Sequence, residues 1–301
     1  MVTTHGQADI VRGLLSADGY PYRPLDRIVL VDRFDASRSG WYGHHIDREG
    51  YDVTWGVVCR STMTAHRWGS YGAHSGHYSL KLATRPEPGD LTRAIKRITA
   101  PYHDGSAYSK LRFETVFTYH EEPRGTSAHT EERPDRPDLT GESTIRGFSF
   151  EFDVHDREHR WWPGIRYANW SSEGDRLARW QYNPAGIDPP MSRFVDVPGG
   201  QQDLCWNSPN DSVPWKPNWH YLRLDVDVGD RSYAELQCND RVIDLRAVDL
   251  EPADPYHDDD RTTPWPDIDG LLNPIMSIQT NAATRAFLFL DSLVLSAEVD
   301  G

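Results

Sequence analysis

The run Phe148-Ser149-Phe150-Glu151-Phe152-Asp153-Val154-His155 sets two carboxylates and an imidazole at every second position. In a strand, successive side chains point to opposite faces. Phe148, Phe150, Phe152 and Val154 then enter a core, while Ser149, Glu151, Asp153 and His155 share the other face. Crowded carboxylates repel one another and resist desolvation, which moves their pKa values apart. Such a set serves acid–base chemistry on a sugar or at a metal. The alternative is an outer sheet face bathed in water.

The strand before it has the same alternation. Phe113, Thr115, Phe117 and Tyr119 face one way; Arg112, Glu114, Val116, Thr118 and His120 face the other. If this strand pairs with 148–155, Glu114 comes near Glu151 and Asp153, and Arg112 lowers the pKa of one carboxylate while crowding raises another. If the face is solvated, Arg112 and Glu114 make an ordinary cross-strand pair. Downstream come Trp161-Trp162-Pro163-Gly164-Ile165-Arg166-Tyr167-Ala168-Asn169 and Arg179-Trp180-Gln181-Tyr182. A sugar offers a flat C–H face to aromatic rings and a rim of hydroxyls to polar side chains, and this segment supplies both. Trp162 and Trp180 are candidate sugar contacts or plain core; Arg166 and Gln181 are candidate ligand contacts. Trp206, in the aromatic-polar stretch 197–207 with its paired glycines, is a further candidate.

The elements that must position these groups read as strands. Alternating runs at 27–32, 78–83, 111–119, 148–155, 165–169, 179–182, 219–227, 233–238, 275–280 and 287–295 are separated by Gly, Pro, Asp and Asn, the pattern of a β-sandwich. Residues 7–16 suit one short helix within an N-terminal extension over 1–20. Asp90-Leu91-Thr92-Arg93-Ala94-Ile95-Lys96-Arg97 suits a helix or the opening of a strand. Two stretches rich in charge and proline, 121–143 and 251–269, read as long loops, and the whole of 1–301 as one domain.

Composition narrows the partners. A formal net charge of −14 disfavours nucleic acid and anionic membranes. No apolar run is long enough to span a bilayer, and the first residues lack a secretory pattern. Cys59, Cys205 and Cys238 are too far apart for a zinc knuckle or a disulfide framework. The expected location is cytoplasmic, with a mature secreted form as the alternative. No metal is expected: the pairs His74/His77 and His155/Glu158 match no HxH or HExxH pattern. No cofactor is expected either. Asp258-Asp259-Asp260 suits a solvated acidic loop or a calcium site, and the lack of glycine-punctuated ligand spacing argues against calcium. The chain carries no GxSxG, Walker or GxGxxG motif.

Four phrases resemble the concanavalin A-like lectin/glucanase superfamily. They are Val31-Asp32-Arg33-Phe34-Asp35 with Ser39-Gly40-Trp41, then Ser75-Gly76-His77-Tyr78-Ser79-Leu80-Lys81-Leu82. Next come Asn218-Trp219-His220-Tyr221-Leu222-Arg223-Leu224-Asp225-Val226 and Phe289-Leu290-Asp291-Ser292-Leu293-Val294-Leu295, the last with its buried Asp. The resemblance implies an all-β jelly roll of two antiparallel sheets. The laminarinase-like members carry Glu-x-Asp-x-Glu as nucleophile, helper and acid/base. Glu151-Phe152-Asp153 matches its first half, and His155 replaces the second Glu, so the two-Glu retaining mechanism does not carry over intact.

Three functions follow as expectations. The first is cleavage of a small glycoside or oligosaccharide on the concave sheet face, with Glu151, Asp153 and Glu114 handling protons, His155 supporting, and Arg112, Arg166, Trp180, Gln181, Trp162 and Trp206 holding the sugar. The second is a lectin-like protein that binds without catalysis. The third is a structural sandwich whose polar face meets another subunit, as in a homo-oligomer.

Overall fold

The structure is a computed structural model. It describes residues 22–36, 39–47, 50–52, 57–61, 74, 78–99, 108–121, 141–155, 159–184, 194–205, 218–250, 254–255 and 271–299. The proposed helix at 7–16, most of both long loops, the aspartates 258–260 and Trp206 lie outside the described residues.

The strands in chain order are β1 (Arg27–Asp32), β2 (Tyr42–Asp47), β3 (Gly50–Asp52), β4 (Val57–Ser61) and β5 (Ser79–Ala83). Then come β6 (Leu91–Ile95), β7 (Ile98–Thr99), β8 (Tyr108–Glu121), β9 (Ile145–His155) and β10 (His159–Trp161). These are followed by β11 (Gly164–Trp170), β12 (Arg176–Tyr182), β13 (Val195–Gln201), β14 (His220–Asp227) and β15 (Ser232–Cys238). The last are β16 (Arg241–Asp244), β17 (Asp254–Pro255), β18 (Leu271–Thr280) and β19 (Ala286–Val299). A 3₁₀ turn, Gly141–Thr144, leads into β9.

The first sheet runs β16-β15-β14-β8-β19-β5-β4, with β1 also on β19. The second runs β13-β12-β11-β9-β18-β6-β2-β3. The paired strands are antiparallel throughout. This is the two-sheet antiparallel sandwich that the superfamily resemblance implies. Each run read as a strand from its alternation is one. The stretch 90–97 is not a helix: Leu91–Ile95 is a strand between β18 and β2. β8 continues through Glu121, the first residue of the stretch read as a long loop.

The alternation in β8 and β9 fills the space between the sheets. Phe113 lies 5.4 Å from Phe152, Phe117 5.1 Å from Phe148 and Tyr119 5.0 Å from Phe148, centroid to centroid. Aromatic pairs at such separations add to the burial of apolar surface that holds the sheets together. The residues of the first superfamily phrase also meet. The Trp41 indole N–H donates to Asp32 Oδ2 at 2.7 Å, and Lys96 Nζ lies 2.9 Å from the same oxygen. Asp291 is buried in β19 and accepts the His74 backbone N–H at 2.8 Å.

Candidate functional site on the outer face of the second sheet

Ladder register fixes which side chains share the outward face. In the β9–β18 ladder Ser149 lies opposite Ser277, Glu151 opposite Ile275 and Asp153 opposite Asn273. On the other side of β9, Ser149 faces Arg166 and Glu151 faces Gly164; Arg166 in turn faces Gln181. Beyond β18, Ser277 faces Arg93 and Ile275 faces Ile95, which faces Tyr42. Two rows therefore cross the sheet. One is polar: Gln181, Arg166, Ser149, Ser277, Arg93. The next carries Glu151 and then the apolar track Ile275, Ile95, Tyr42.

Glu151 is the hub. It is 1% exposed. Oε2 accepts the Trp162 indole N–H at 2.7 Å and lies 3.9 Å from an Arg93 nitrogen. Oε1 accepts the Ser149 hydroxyl, and Ser149 is also bonded to Ser277. The single Ser149 proton goes to the carboxylate, which can only accept, so Ser277 donates to Ser149. A hydroxyl, an indole and a guanidinium thus converge on one buried carboxylate, which offsets its desolvation. Glycine makes room for it: a Cβ on Gly164 would lie 2.6 Å from Glu151 Cγ.

Arg166 is buried, and its guanidinium donates to Gln181 Oε1 at 3.3 Å; Gln181 Nε2 donates onward to Asp196 Oδ1 at 2.8 Å. Burial and then the neighbouring Arg146 pull the Arg166 pKa down to about 10, against the opposing pull of Glu151. Asp153 accepts the Asn273 amide at 3.2 Å. Among the described residues, no group of three His, Cys, Asp or Glu side chains is placed to hold a metal ion.

Of the residues expected from sequence, Glu151, Asp153, Arg166, Gln181 and Trp162 share this region. Trp162 is buried and contacts the carboxylate through its N–H, so it holds Glu151 in place and offers no open stacking surface. Trp180 is core. It is fully buried, faces inward beside Tyr167, and its ring lies edge-on to Tyr167 at 5.2 Å and to Phe148 at 6.2 Å. His155 ends β9, but its side chain lies outside the described residues.

Glu114 and Arg112 are elsewhere. β8 pairs with β14 and β19 in the first sheet and not with β9, so these residues face away from Glu151 on the opposite side of the sandwich. Arg112 makes a two-pronged bond to Asp225, each arm 2.7 Å. Glu114 is buried under the chain entering β1. Its Oε1 accepts the Arg23 backbone N–H at 2.7 Å and the Tyr221 hydroxyl at 2.6 Å. Burial raises its pKa, while those two donors and Arg112 hold it down. Tyr22 completes the fastening through a 2.7 Å bond to Ser292 Oγ. Glu114 anchors a strap.

Sequence reasoning missed Arg93, Asn273, Ser277, Ile275 and Tyr42. Among the described residues of the face, Tyr42 is an exposed aromatic, at 38%. The stretch 197–207 with its paired glycines instead borders an open polar groove of about 830 Å³, lined by Arg176, Gln202, Asp203, Asn239 and Arg241 among others.

A family model described as a domain of unknown function, DUF6772, matches residues 16–299. No relative among the curated proteins matches the sequence. Solved structures similar to the chain include peanut lectin with a nine-residue peptide, at 8% identity and a TM-score of 0.43, covering 87% of this chain and 98% of the lectin. Rv0315 of Mycobacterium tuberculosis, an immunostimulatory antigen and pseudo β-1,3-glucanase, is 12% identical with a TM-score of 0.40, covering 90% and 99%. TmCBM61 in complex with β-1,4-galactotriose is 10% identical with a TM-score of 0.34, covering 90% and 99%.

Proposed function

We propose that this chain, which belongs to the DUF6772 family, is a carbohydrate-active protein that holds a small glycoside or oligosaccharide on the outer face of its second sheet. The observation that carries the reading is the pair of adjacent rows. One row is hydrogen-bonding: Arg166 and Gln181 at one end, Arg93 at the other, with Ser149 and Ser277 between. The row beside it runs apolar from Ile275 through Ile95 to the exposed ring of Tyr42. A sugar ring has the same two-sided chemistry, C–H groups on its flat faces and hydroxyls around its rim. Three strand spacings separate Glu151 from Tyr42, roughly 14 Å, which suits more than one sugar unit.

Binding is the function the geometry supports best. The Glu151 oxygens each hold a protein donor, an arrangement that fixes a carboxylate in place. Glycoside cleavage is the second reading, favoured by Glu151 and Asp153 standing two residues apart on one face. Cleavage needs one carboxyl to give a proton and the other to attack or to activate water.

A panel of glycosides and oligosaccharides, read by thermal shift and by product formation on wild type and Glu151→Gln together, tests both. A ligand that stabilises both proteins and is consumed by neither supports binding. A ligand consumed by wild type alone establishes cleavage at this strand. A panel in which nothing stabilises wild type contradicts both readings.

A further inference from the structure

We propose that this face prefers an acidic sugar to its neutral parent, with a single carboxylate or sulfate ester seated at Arg146 and Arg166. The proposal rests on the carbohydrate reading above and names the ligand class for the same face. It starts from a β-bulge in β9.

In the β9–β18 ladder Gly147 lies opposite Gln279 and Ile145 opposite Thr280, so Arg146 is an extra residue between the two pairs. Ile145 and Phe148 are both fully buried although three positions apart, which an unbroken alternation forbids. The bulge absorbs the difference and turns Arg146 and Gly147 to the outer face together. Arg166 already occupies that face, and its side chain lies against Gly147: a Cβ there would stand 3.4 Å from Arg166 Nε. Two guanidinium groups are thereby brought to one end of the sheet, Arg166 buried and Arg146 half-buried.

Like charges in a partly desolvated setting repel, and an anion between them relieves the cost. The chain itself supplies little negative charge there. Of the charges acting on Arg166, the repulsion from Arg146 outweighs the attraction of Glu151. Glu151 is also shared with Arg93, 3.9 Å away. Asp196 is engaged by Arg179 and Gln181. Asp153 is six residues further along β9 than Gly147, roughly 20 Å. Arg146 makes no hydrogen bond or salt bridge with another described residue, and it exerts only a minor pull on the exposed Glu173. A guanidinium presents a fork of N–H groups that matches the oxygens of a carboxylate or a similar oxyanion. The net charge of −14 acts at long range and is screened by salt, whereas the two arginines act at contact. One anionic group is therefore favoured over a polyanion.

Gln279, across from Gly147, donates its Nε2 to the Gly89 carbonyl at 3.0 Å, which orients the amide. Its Oε1 is left buried without a hydrogen-bond partner. A sugar hydroxyl completes such an acceptor. Neutral and acidic sugars both carry that hydroxyl, so the two arginines alone discriminate between them.

The test is calorimetric titration of the full chain, at low salt, with methyl glycosides of the gluco, galacto and manno series, each as the neutral sugar, the uronate and the 6-sulfate. Wild type is expected to bind an acidic form of one series about tenfold or more tighter than its neutral parent. A tighter uronate identifies a carboxylate site, and a tighter sulfate a sulfate site. Arg146→Gln removes one charge and keeps a polar side chain, and Arg146→Ala is a second variant should the first fail to fold. In either variant the acidic advantage is expected to shrink to about threefold or less. A neutral sugar bound as tightly as its acidic forms overturns the proposal, as does a folded variant that keeps the full advantage. Those two results leave the carbohydrate reading standing. A wild type that binds none of the panel overturns both.

Discussion

The Trp162 indole N–H donates to Glu151 Oε2 at 2.7 Å from the segment that joins β10 to β11. The contact requires Gly164, the residue opposite Glu151, because any Cβ there meets Glu151 Cγ at 2.6 Å. Trp162→Phe keeps most of the ring and removes the donor. It is expected to destabilise the protein by about 1–3 kcal/mol, the usual cost of stranding a buried acceptor. Gly164→Ala displaces the carboxylate and is expected to cost about 1–3 kcal/mol through overpacking. Urea unfolding of both variants checks this, and wild-type midpoints in both would contradict the described role of Glu151.

Trp180 is a core residue in this account. Its ring is fully buried against Tyr167 and Phe148, and its N–H donates to Gln202 Oε1 at 2.8 Å. Trp180→Ala is expected to cost about 3–5 kcal/mol in stability. A variant that unfolds at the wild-type midpoint but no longer binds sugar would place Trp180 in the ligand site instead.

Glu114 gives a pH-dependent contribution. Burial raises its carboxyl pKa in the folded protein, so folding favours the protonated form. Its favourable contribution is full below the unfolded value and is lost as pH rises through the raised folded value. Glu114→Gln stays neutral throughout. Its stability relative to wild type is therefore expected to rise between about pH 4 and about pH 8, as measured by unfolding free energies at each pH. A difference that does not change with pH would contradict a raised carboxyl.

His220 works in the opposite direction. Its Nδ1 receives the Asn239 amide at 3.0 Å, while Asn239 Oδ1 accepts the Tyr221 backbone N–H, which fixes the amide orientation. Nε2 then carries the proton and donates to the Cys205 carbonyl at 3.0 Å, so the ring is held neutral. Burial lowers its pKa, against the pull of the Cys205 carbonyl. This contribution is present above the unfolded value of about 6.5 and is lost as pH falls through the lowered folded value. Stability at about pH 5 relative to about pH 7.5 is expected to fall less in His220→Gln than in wild type. Equal losses in the two proteins would contradict the fixed tautomer.

The fold was legible in the sequence because β8, β9, β14 and β19 alternate cleanly, and a period of two is visible without knowing any neighbour. The faces within those strands were legible for the same reason. Which strands become neighbours was not. Glu114 and Glu151 follow one pattern on consecutive long strands, yet β8 and β9 lie in different sheets, because the chain between them passes from one sheet to the other. Asn273 was hidden by Pro274. Proline cannot donate to a ladder and argues against a central strand, so the strand read as starting at 275, although β18 begins at Leu271 and carries the proline inside it. Arg93 was hidden by helix-compatible neighbours, although Leu91, Arg93 and Ile95 already mark one face of a strand. The segment 161–182 mixes aromatic and polar residues, and adjacent residues such as Trp180 and Gln181 must face opposite ways in a strand; which of the two points inward is decided by the pairing of β12 with β11.

The most direct measurement is isothermal titration of wild type, Arg166→Met and Glu114→Gln with neutral cello-, galacto- and manno-oligosaccharides. Arg166 lies on the outer face of the second sheet and Glu114 on the opposite side of the sandwich. Saturable binding by wild type, weakened about tenfold or more in Arg166→Met and unchanged in Glu114→Gln, is the predicted result. Wild-type affinity in Arg166→Met, or binding abolished by Glu114→Gln while the protein remains folded, would contradict the assignment of the site to this face.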